Sequence, residues 1–347
     1  MHRRKDSPFW WVSFTDASGK KSQRSTGTTE RKEADAIEAK CKLEVHRVKT
    51  WGEEPSHYFD EMMMRYLQSK QGEKRSLERD ISTVERLKSY FGGRDVNRLE
   101  RSDVMAYIQT RKAQGVKAGT INRELGMLAA SFSFAKRDLG WRIDNPAEQT
   151  KLKEPEGRVR FLSTDEAQAL ITAAASEVRA PHLQNFISLA INTGCRKSEL
   201  LKSRWENVDF KQATLRIEGK DSKSGKRRGV PLNLAALQAF RNQKVFTDEH
   251  APSSPWVFSC KGGERIQSVQ TSFETACRRA GTTDFRVHDL RHTCASWLVT
   301  DGVSLAEVRD VLGHSTIKMT ERYAHLAPEN LRRAVAVLEH RLRFVYA

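Results

Sequence analysis

Cysteine is scarce in this 347-residue sequence and falls into no pattern. The five that occur, Cys41, Cys195, Cys260, Cys277 and Cys294, are odd in number and include no Cys-x-x-Cys pair. That argues against a disulfide framework or a zinc ribbon and fits a reducing compartment, each cysteine reading as a small buried apolar residue. Long apolar runs are missing as well. No window approaches the roughly 20 apolar residues of a membrane-spanning helix, and the opening MHRRKDSPFW has none of the apolar stretch of a secretory signal. The expectation is a soluble, cytoplasmic protein with no membrane partner. No internal repeat or low-complexity tract is apparent.

What the sequence does have is positive charge. Sixty Lys+Arg against 44 Asp+Glu give a formal net charge of +16, which points to a polyanionic partner, nucleic acid or an anionic membrane. The excess gathers at the two ends: residues 1–50 carry 12 Lys/Arg against 7 Asp/Glu and residues 151–347 carry 31 against 22, while 51–150 are nearly balanced. The length suits two or three domains of about 100–200 residues each.

Residues 8–14 (PFWWVSF) and 22–27 (SQRSTG) read as two strands around a Gly-containing turn, and ERKEADAIEAKCKLEVHRV follows as a charged helix. Residues 1–50 are therefore a small hairpin-plus-helix module, for DNA binding or, alternatively, for packing. Four helical stretches with short connections occupy 51–145 and predict a compact four-helix domain. Within it Met62, Met63 and Met64 read as core filler. A charged stretch with Pro146, Pro155 and Gly157 reads as a linker over 146–160. Beyond it, 161–347 form a mostly helical domain with one small β region, ATLRIEG and GVPL around the basic loop KDSKSGKRR. Ser163 with Glu166 and Ser304 with Glu307 mark helix starts by the capping-box pattern. The expected fold class is mainly α with small β elements, in several domains.

Four segments of this last domain combine cations, imidazoles and a tyrosine: TGCRKSELL, KDSKSGKRRGVPL, HDLRHT and LGHSTIKMTERYAHL. Displacement at a phosphodiester builds negative charge on the non-bridging oxygens, which planar guanidinium groups bind two at a time. Arg196 and Arg291 suit that task, and His288 shares a helical face with Arg291. A tyrosine hydroxyl, with a pKa of about 10, needs neighbouring cations or a base to act as a nucleophile. His288 and His314 could supply that help to Tyr323. Expelling a sugar alkoxide needs an acid, for which Lys223 on the loop is the candidate, flanked by Lys220 and Lys226.

This set, in this order, with a nine-residue step from His314 to Tyr323, resembles the tyrosine recombinase (phage integrase) family. The resemblance is strong over 158–347. The helical segment looks like that family's core-binding domain, and the N-terminal module like the arm-site DNA-binding domain of integrases. It implies that Arg196 and Arg291 clamp the scissile phosphate, that His288 assists proton transfer at the nucleophile, and that His314 hydrogen-bonds the phosphate. Lys223 would protonate the leaving 5′-oxygen and Tyr323 would form a 3′-phosphotyrosyl link. Glu199 and His292 would support the site. No metal or other cofactor is implied. The partners implied are double-stranded DNA recombination sites, a homo-tetramer on that DNA, and accessory DNA-bending or excision factors. The element served would be a prophage or another mobile element.

Other readings stand beside this one. His288 and His292 have the i, i+4 spacing of a zinc pair, with His314 a conceivable third ligand, as in a metal-dependent hydrolase. A DNA-binding protein without activity would need only charge and helices. Tyr346 is a second tyrosine near the end, though no His-and-Gly segment adjoins it. Arg227 and Arg228 read as a solvated strip that contacts DNA phosphates. The stretch APENLRRAVAVLEHRLRF, with Leu331, Val335 and Leu338 on one face, is expected to form a helix that docks on a neighbouring protomer or on its own domain.

Overall fold

Alternation of apolar and polar residues at 10–15 sets the first sheet, because only such a segment hides one face while wetting the other. In the computed structural model, which describes residues 1–3, 8–15, 21–51, 56–72, 77–155, 158, 160–219, 225, 227–327 and 335, strand β2 (Trp10–Thr15) pairs antiparallel with β1 (His2–Arg3) and with β3 (Lys21–Ser25). The short β1 was not expected from the sequence. Helix α1 (Arg31–Trp51) packs on β2 and buries Ala34 and Cys41, seven residues apart on one face, beside Val12. The chain divides into two compact units, Met1–Pro155 and Glu156–Ala347.

The first unit continues as four helices, α2 (Phe59–Ser69), α3 (Leu77–Phe91), α4 (Arg101–Ala113) and α5 (Ala118–Asp138), where the sequence pattern placed them. Phe59, Met62, Met63 and Tyr66 recur at helical spacing and meet Phe91 and Phe132 in one core. Met64 does not join them. One residue is about 100° of helix, and that rotation leaves Met64 55% exposed. Inside this core Glu124 accepts Tyr107 Oη at 2.8 Å and, bidentately, Arg111 Nε and Nη2 at 3.0 and 2.7 Å. Part of the segment expected as a linker is held against α5. Ala147 is buried, Asn145 Nδ2 donates to Ala129 O, and Asn122 exchanges hydrogen bonds with both backbone groups of Leu152.

In the second unit α6 (Thr164–Ala175) starts at the Ser163–Glu166 capping box. It is followed by α7 (Leu183–Thr193), α8 (Lys197–Leu201), the strands β4 (Val208–Asp209), β5 (Thr214–Ile217) and β6 (Arg228–Pro231), then α9 (Leu234–His250), α10 (Gln270–Arg279), α11 (Asp289–Thr300) and α12 (Leu305–Leu312). The sheet runs β4-β5-β6, antiparallel, with Leu215 opposite Val230. Helix α7 packs against α6, α9 and α11, and it buries Leu183, Phe186, Ile187, Leu189, Ala190 and Ile191, apolar residues that together cover more than half of its circumference. One face of α11 holds the chain that enters this unit: Asp289 pairs with Arg158, Thr293 Oγ1 accepts Leu162 N–H, and Trp297 Nε1 donates to Leu162 O. Of the described residues, no helix is long and apolar enough to cross a membrane. The loop lysines Lys220, Lys223 and Lys226, the turn 16–20, Tyr346 and nearly all of the expected C-terminal helix lie outside the described residues.

Glu124 is satisfied by both a phenol and a guanidinium, so its removal leaves the buried Tyr107 hydroxyl without its acceptor and the half-buried Arg111 with Gln114 in place of its carboxylate. Glu124→Ala is expected to destabilise the first unit by about 1–3 kcal/mol, read as a lower urea midpoint at unchanged slope.

Candidate active site

Helix α7 ends at Gly194 in the left-handed conformation (φ 61°), and that turn sets up the site. A Cβ there would stand 2.5 Å from Leu312 Cδ2 and 3.1 Å from Cys294 Sγ, so the position tolerates only glycine on both counts. Two residues on, Arg196 caps α8 in extended backbone. The Gly194 carbonyl accepts Arg291 Nη1 at 2.7 Å. The turn that presents one arginine therefore anchors the other. Arg291 is 3% exposed, and its Nη2 is buried with no hydrogen-bond partner. Burial, then the charge of Arg196, lowers its pKa to about 10, so it stays a cation at neutral pH.

Among the described residues, Glu199 is the carboxylate of this site with both oxygens bonded to guanidinium groups. One oxygen accepts Arg196 Nη1 at 2.9 Å and Arg228 Nη1 at 3.0 Å; the other accepts the Arg196 backbone N–H at 2.9 Å and Arg228 Nη2 at 2.8 Å. All of its acceptor directions are used. Burial alone would push its pKa up. The Arg228 hydrogen bonds and charge, with those of Arg196, outweigh that and hold it at about 2.

His288 caps α11, and its ring lies edge-on to His292, centroids 5.1 Å apart. His292 Nδ1 hydrogen-bonds Tyr323 Oη. His314 follows the left-handed Gly313 at the end of α12, and its Nδ1 hydrogen-bonds the fully buried Thr320 Oγ1 at 2.9 Å. Tyr323, 2% exposed, sits in a short 3₁₀ helix (Glu321–Leu326) and joins Val299, Val308 and Leu312 in a small apolar cluster. Burial lowers all three imidazoles. His288 goes down, also because of Arg291; His292 goes to about 4, also because of His288; His314 goes to about 3, also because of Arg291. Burial pushes Tyr323 up to about 12, against the pull of Arg322 and Arg291.

Arg196, Glu199, His288, Arg291, His292, His314 and Tyr323 thus come together, coupled by hydrogen bonds or by charge. Three features differ from the sequence reading. The imidazole touching the tyrosine hydroxyl is His292, not His288. Arg228 is drawn inward onto Glu199, whereas Arg227 stays at the surface paired with Glu218 at 2.9 Å. Arg322, unnoticed in the sequence, is exposed beside Tyr323, and its charge acts on all three imidazoles. Its adjacency to Tyr323 in TERYAH was the available signal. Among the described residues no group of three His, Cys, Asp or Glu is placed to hold a metal ion. The histidine set of the hydrolase reading is not assembled as ligands.

Two guanidinium groups, neutral imidazoles and a buried tyrosine are the residue types that displacement at a phosphodiester by a protein nucleophile requires. Residues 160–330 match the phage integrase family, and residues 1–50 and 57–153 match two phage integrase N-terminal domains. The integrase of Salmonella phage P22 is 30% identical over 356 aligned positions, spanning 93% of this chain and 90% of that protein. Tyrosine recombinase XerD of Caulobacter vibrioides is 31% identical over 252 positions, 69% of this chain and 81% of that protein. A lambda integrase tetramer bound to a Holliday junction shares the fold, with a TM-score of 0.65 at 19% identity over 92% of this chain and 96% of that one. The chain belongs to the phage integrase family and is a tyrosine-type site-specific recombinase.

Two outcomes follow from this geometry. Gly194→Ala is expected to cost on the order of 3 kcal/mol, from left-handed backbone plus overpacking, and to slow DNA cleavage because the Arg291 anchor moves with the turn. Acid sensitivity has a definite sign. An unfolded imidazole titrates near 6.5, while His292 and His314 titrate near 4 and 3 when folded. Between those values the unfolded chain binds more protons, so stability falls as pH drops from 6.5 towards 4. Glu199, held near 2 against 4.5 unfolded, adds a further loss below pH 4.5. Thermal melting should show a lower midpoint at about pH 5 than at about pH 7, and His314→Asn should flatten that dependence.

Proposed function

We propose that Arg196 and Arg291 bind the scissile phosphate, that His314 hydrogen-bonds it, and that Tyr323 attacks the phosphorus to give a 3′-phosphotyrosyl link while the 5′-oxygen leaves. The carrying observation is the unpartnered Nη2 of Arg291, a buried cationic N–H whose strongest partner would be an anion such as a phosphate oxygen. His292, neutral and bonded to the hydroxyl, is placed to take the phenol proton, with His288 edge-on to it as the next imidazole. Lys223, between β5 and β6 in the sequence, supplies a proton to the departing 5′-oxygen. The 5′-hydroxyl of a partner strand then attacks the phosphotyrosyl bond, restores the tyrosine and rejoins DNA. One phosphodiester-level bond is exchanged for another at each step, so neither ATP nor a ligase is consumed.

In this reading double-stranded DNA recombination sites are the substrate, and residues 1–50 and 51–145 are an arm-site module and a core-binding domain that grip it. The lambda integrase tetramer on a Holliday junction supports a homo-tetramer as the working assembly, and the P22 integrase supports integration or excision of a prophage or similar element in the bacterial cytoplasm. Accessory DNA-bending or excision factors complete the picture. The net charge predicts affinity that falls steeply with salt as counterions are released.

The test is incubation with nicked recombination-site DNA in excess EDTA, followed by a denaturing gel. The wild type is expected to give a protein–DNA adduct and Tyr323→Phe none. Arg196→Ala and Arg291→Ala are expected to slow adduct formation about 10²–10³-fold. Free cleavage products that vanish with EDTA would establish a metal hydrolase instead, and binding without any adduct a passive DNA-binding protein.

A further inference from the structure

One guanidinium joins three of the segments that carry the site. Arg228 opens β6, the strand that follows the basic segment 220–227 in the sequence. Its two amino groups donate to both oxygens of Glu199, the oxygens that also accept the backbone and side chain of Arg196. It also lies against Gly313: a Cβ built there would stand 2.7 Å from Arg228 Nε and 2.8 Å from its Cδ and Cζ. Gly313 is the left-handed turn from which His314 departs. The Arg228 side chain is only 14% exposed, and its Nε is buried without a hydrogen-bond partner. A cation is costly to bury, so a residue serving only as a surface phosphate contact would stay out, as its neighbour Arg227 does.

We propose that Arg228 is a positioning residue for the strand-transfer reaction, sharing Glu199 with Arg196 and fixing the Gly313 turn that delivers His314. A buried carboxylate with a single cation beside it draws that cation fully onto itself. With two partners, Glu199 orients Arg196 while leaving part of its guanidinium charge for a phosphate. Remove Arg228 and the whole carboxylate charge falls on Arg196, in competition with the DNA. The inference rests on the reading of Arg196 as a ligand of the scissile phosphate.

The full chain tests it, with adduct formation timed on a nicked substrate in two forms. One has the normal 5′-oxygen at the scissile bond and the other a bridging 5′-sulfur, whose thiolate leaves without an acid. Arg228→Met is expected to slow the adduct about 10²-fold on both substrates, because the defect lies in phosphate binding geometry and not in the leaving-group acid. Adding Glu199→Gln to Arg228→Met should recover about tenfold of that loss, since the unshared charge is gone. Arg228→Lys, which keeps the charge but not the bidentate fork, should be slowed about tenfold on both substrates. It stands as the decisive variant if Arg228→Met does not melt cooperatively. The proposal is overturned by rates of Arg228→Met or Arg228→Lys within about threefold of wild type, by a defect confined to the oxygen substrate, or by a double variant no faster than the single one. An Arg196→Ala protein as fast as wild type would sink the phosphate reading itself; a crippled Arg196→Ala with normal Arg228 variants would sink only this inference.

Discussion

The site rests on a deliberate imbalance of buried charge: three guanidinium groups, from Arg196, Arg228 and Arg291, and one carboxylate, Glu199, to offset them. Burial penalises each cation, and their mutual repulsion adds to it, which is why the Arg291 pKa falls even though arginine is the most basic side chain. An arrangement selected for stability alone would supply a second acid or admit solvent. Keeping one amino group of Arg291 buried and unbonded stores unfavourable solvation energy that an arriving anion relieves. In the proposed function, the same feature that costs the free protein stability is what binds the phosphate.

The remainder of the unit explains how such a cluster is kept from rearranging. Arg291 cannot swing away because its other amino group is fixed to the carbonyl of Gly194, and Gly194 is fixed because Leu312 and Cys294 fill the space where a side chain would go. Helix α11 works on two sides. Asp289, Thr293 and Trp297 hold Arg158 and Leu162, while His288, Arg291 and His292 face the site. The spacing of four along one face and the intervening residues on another follow directly from 3.6 residues per turn. Rigid elements, rather than loops, thus set most of the distances between the functional groups.

Much of this was legible in the sequence where the signal was local. Helices α2 to α5 announced themselves by spacing, and Ser163 with Glu166 and Ser304 with Glu307 form the reciprocal capping bonds their pattern implied. The residue types of the candidate site were readable because arginine, histidine and tyrosine in a fixed order carry chemistry. What could not be read was pairing across the fold. Nothing in KRRGVPL distinguishes Arg228 from Arg227; the difference is strand alternation, which turns one side chain towards Glu199 and the next outwards. Likewise His288 and His292 are equivalent in HDLRHT, and only the path of the chain back to Tyr323 decides which ring it meets. The β1 strand escaped notice because two residues are too short for any periodicity to register, and Met64 because a run of three identical residues hides which face each occupies.

In the reaction proposed for this site the ionisation states order the events. With its pKa near 12, Tyr323 is a protonated phenol in the free protein, and the neutral imidazole of His292 beside it, with a pKa near 4, is too weak a base to ionise it in advance. Both values are set chiefly by burial, in surroundings where positive charge is already in excess. An entering phosphodiester reverses the balance at the imidazoles, because a nearby anion favours their protonated forms. It therefore raises the basicity of His292 at the moment the phenol has an electrophile to attack. Negative charge that leaves the tyrosine oxygen in the transition state is taken up on phosphate oxygens facing Arg196 and Arg291. In that reaction Tyr323 is quiet without DNA and competent with it, and the same buried arginines proposed to bind the phosphate make that difference.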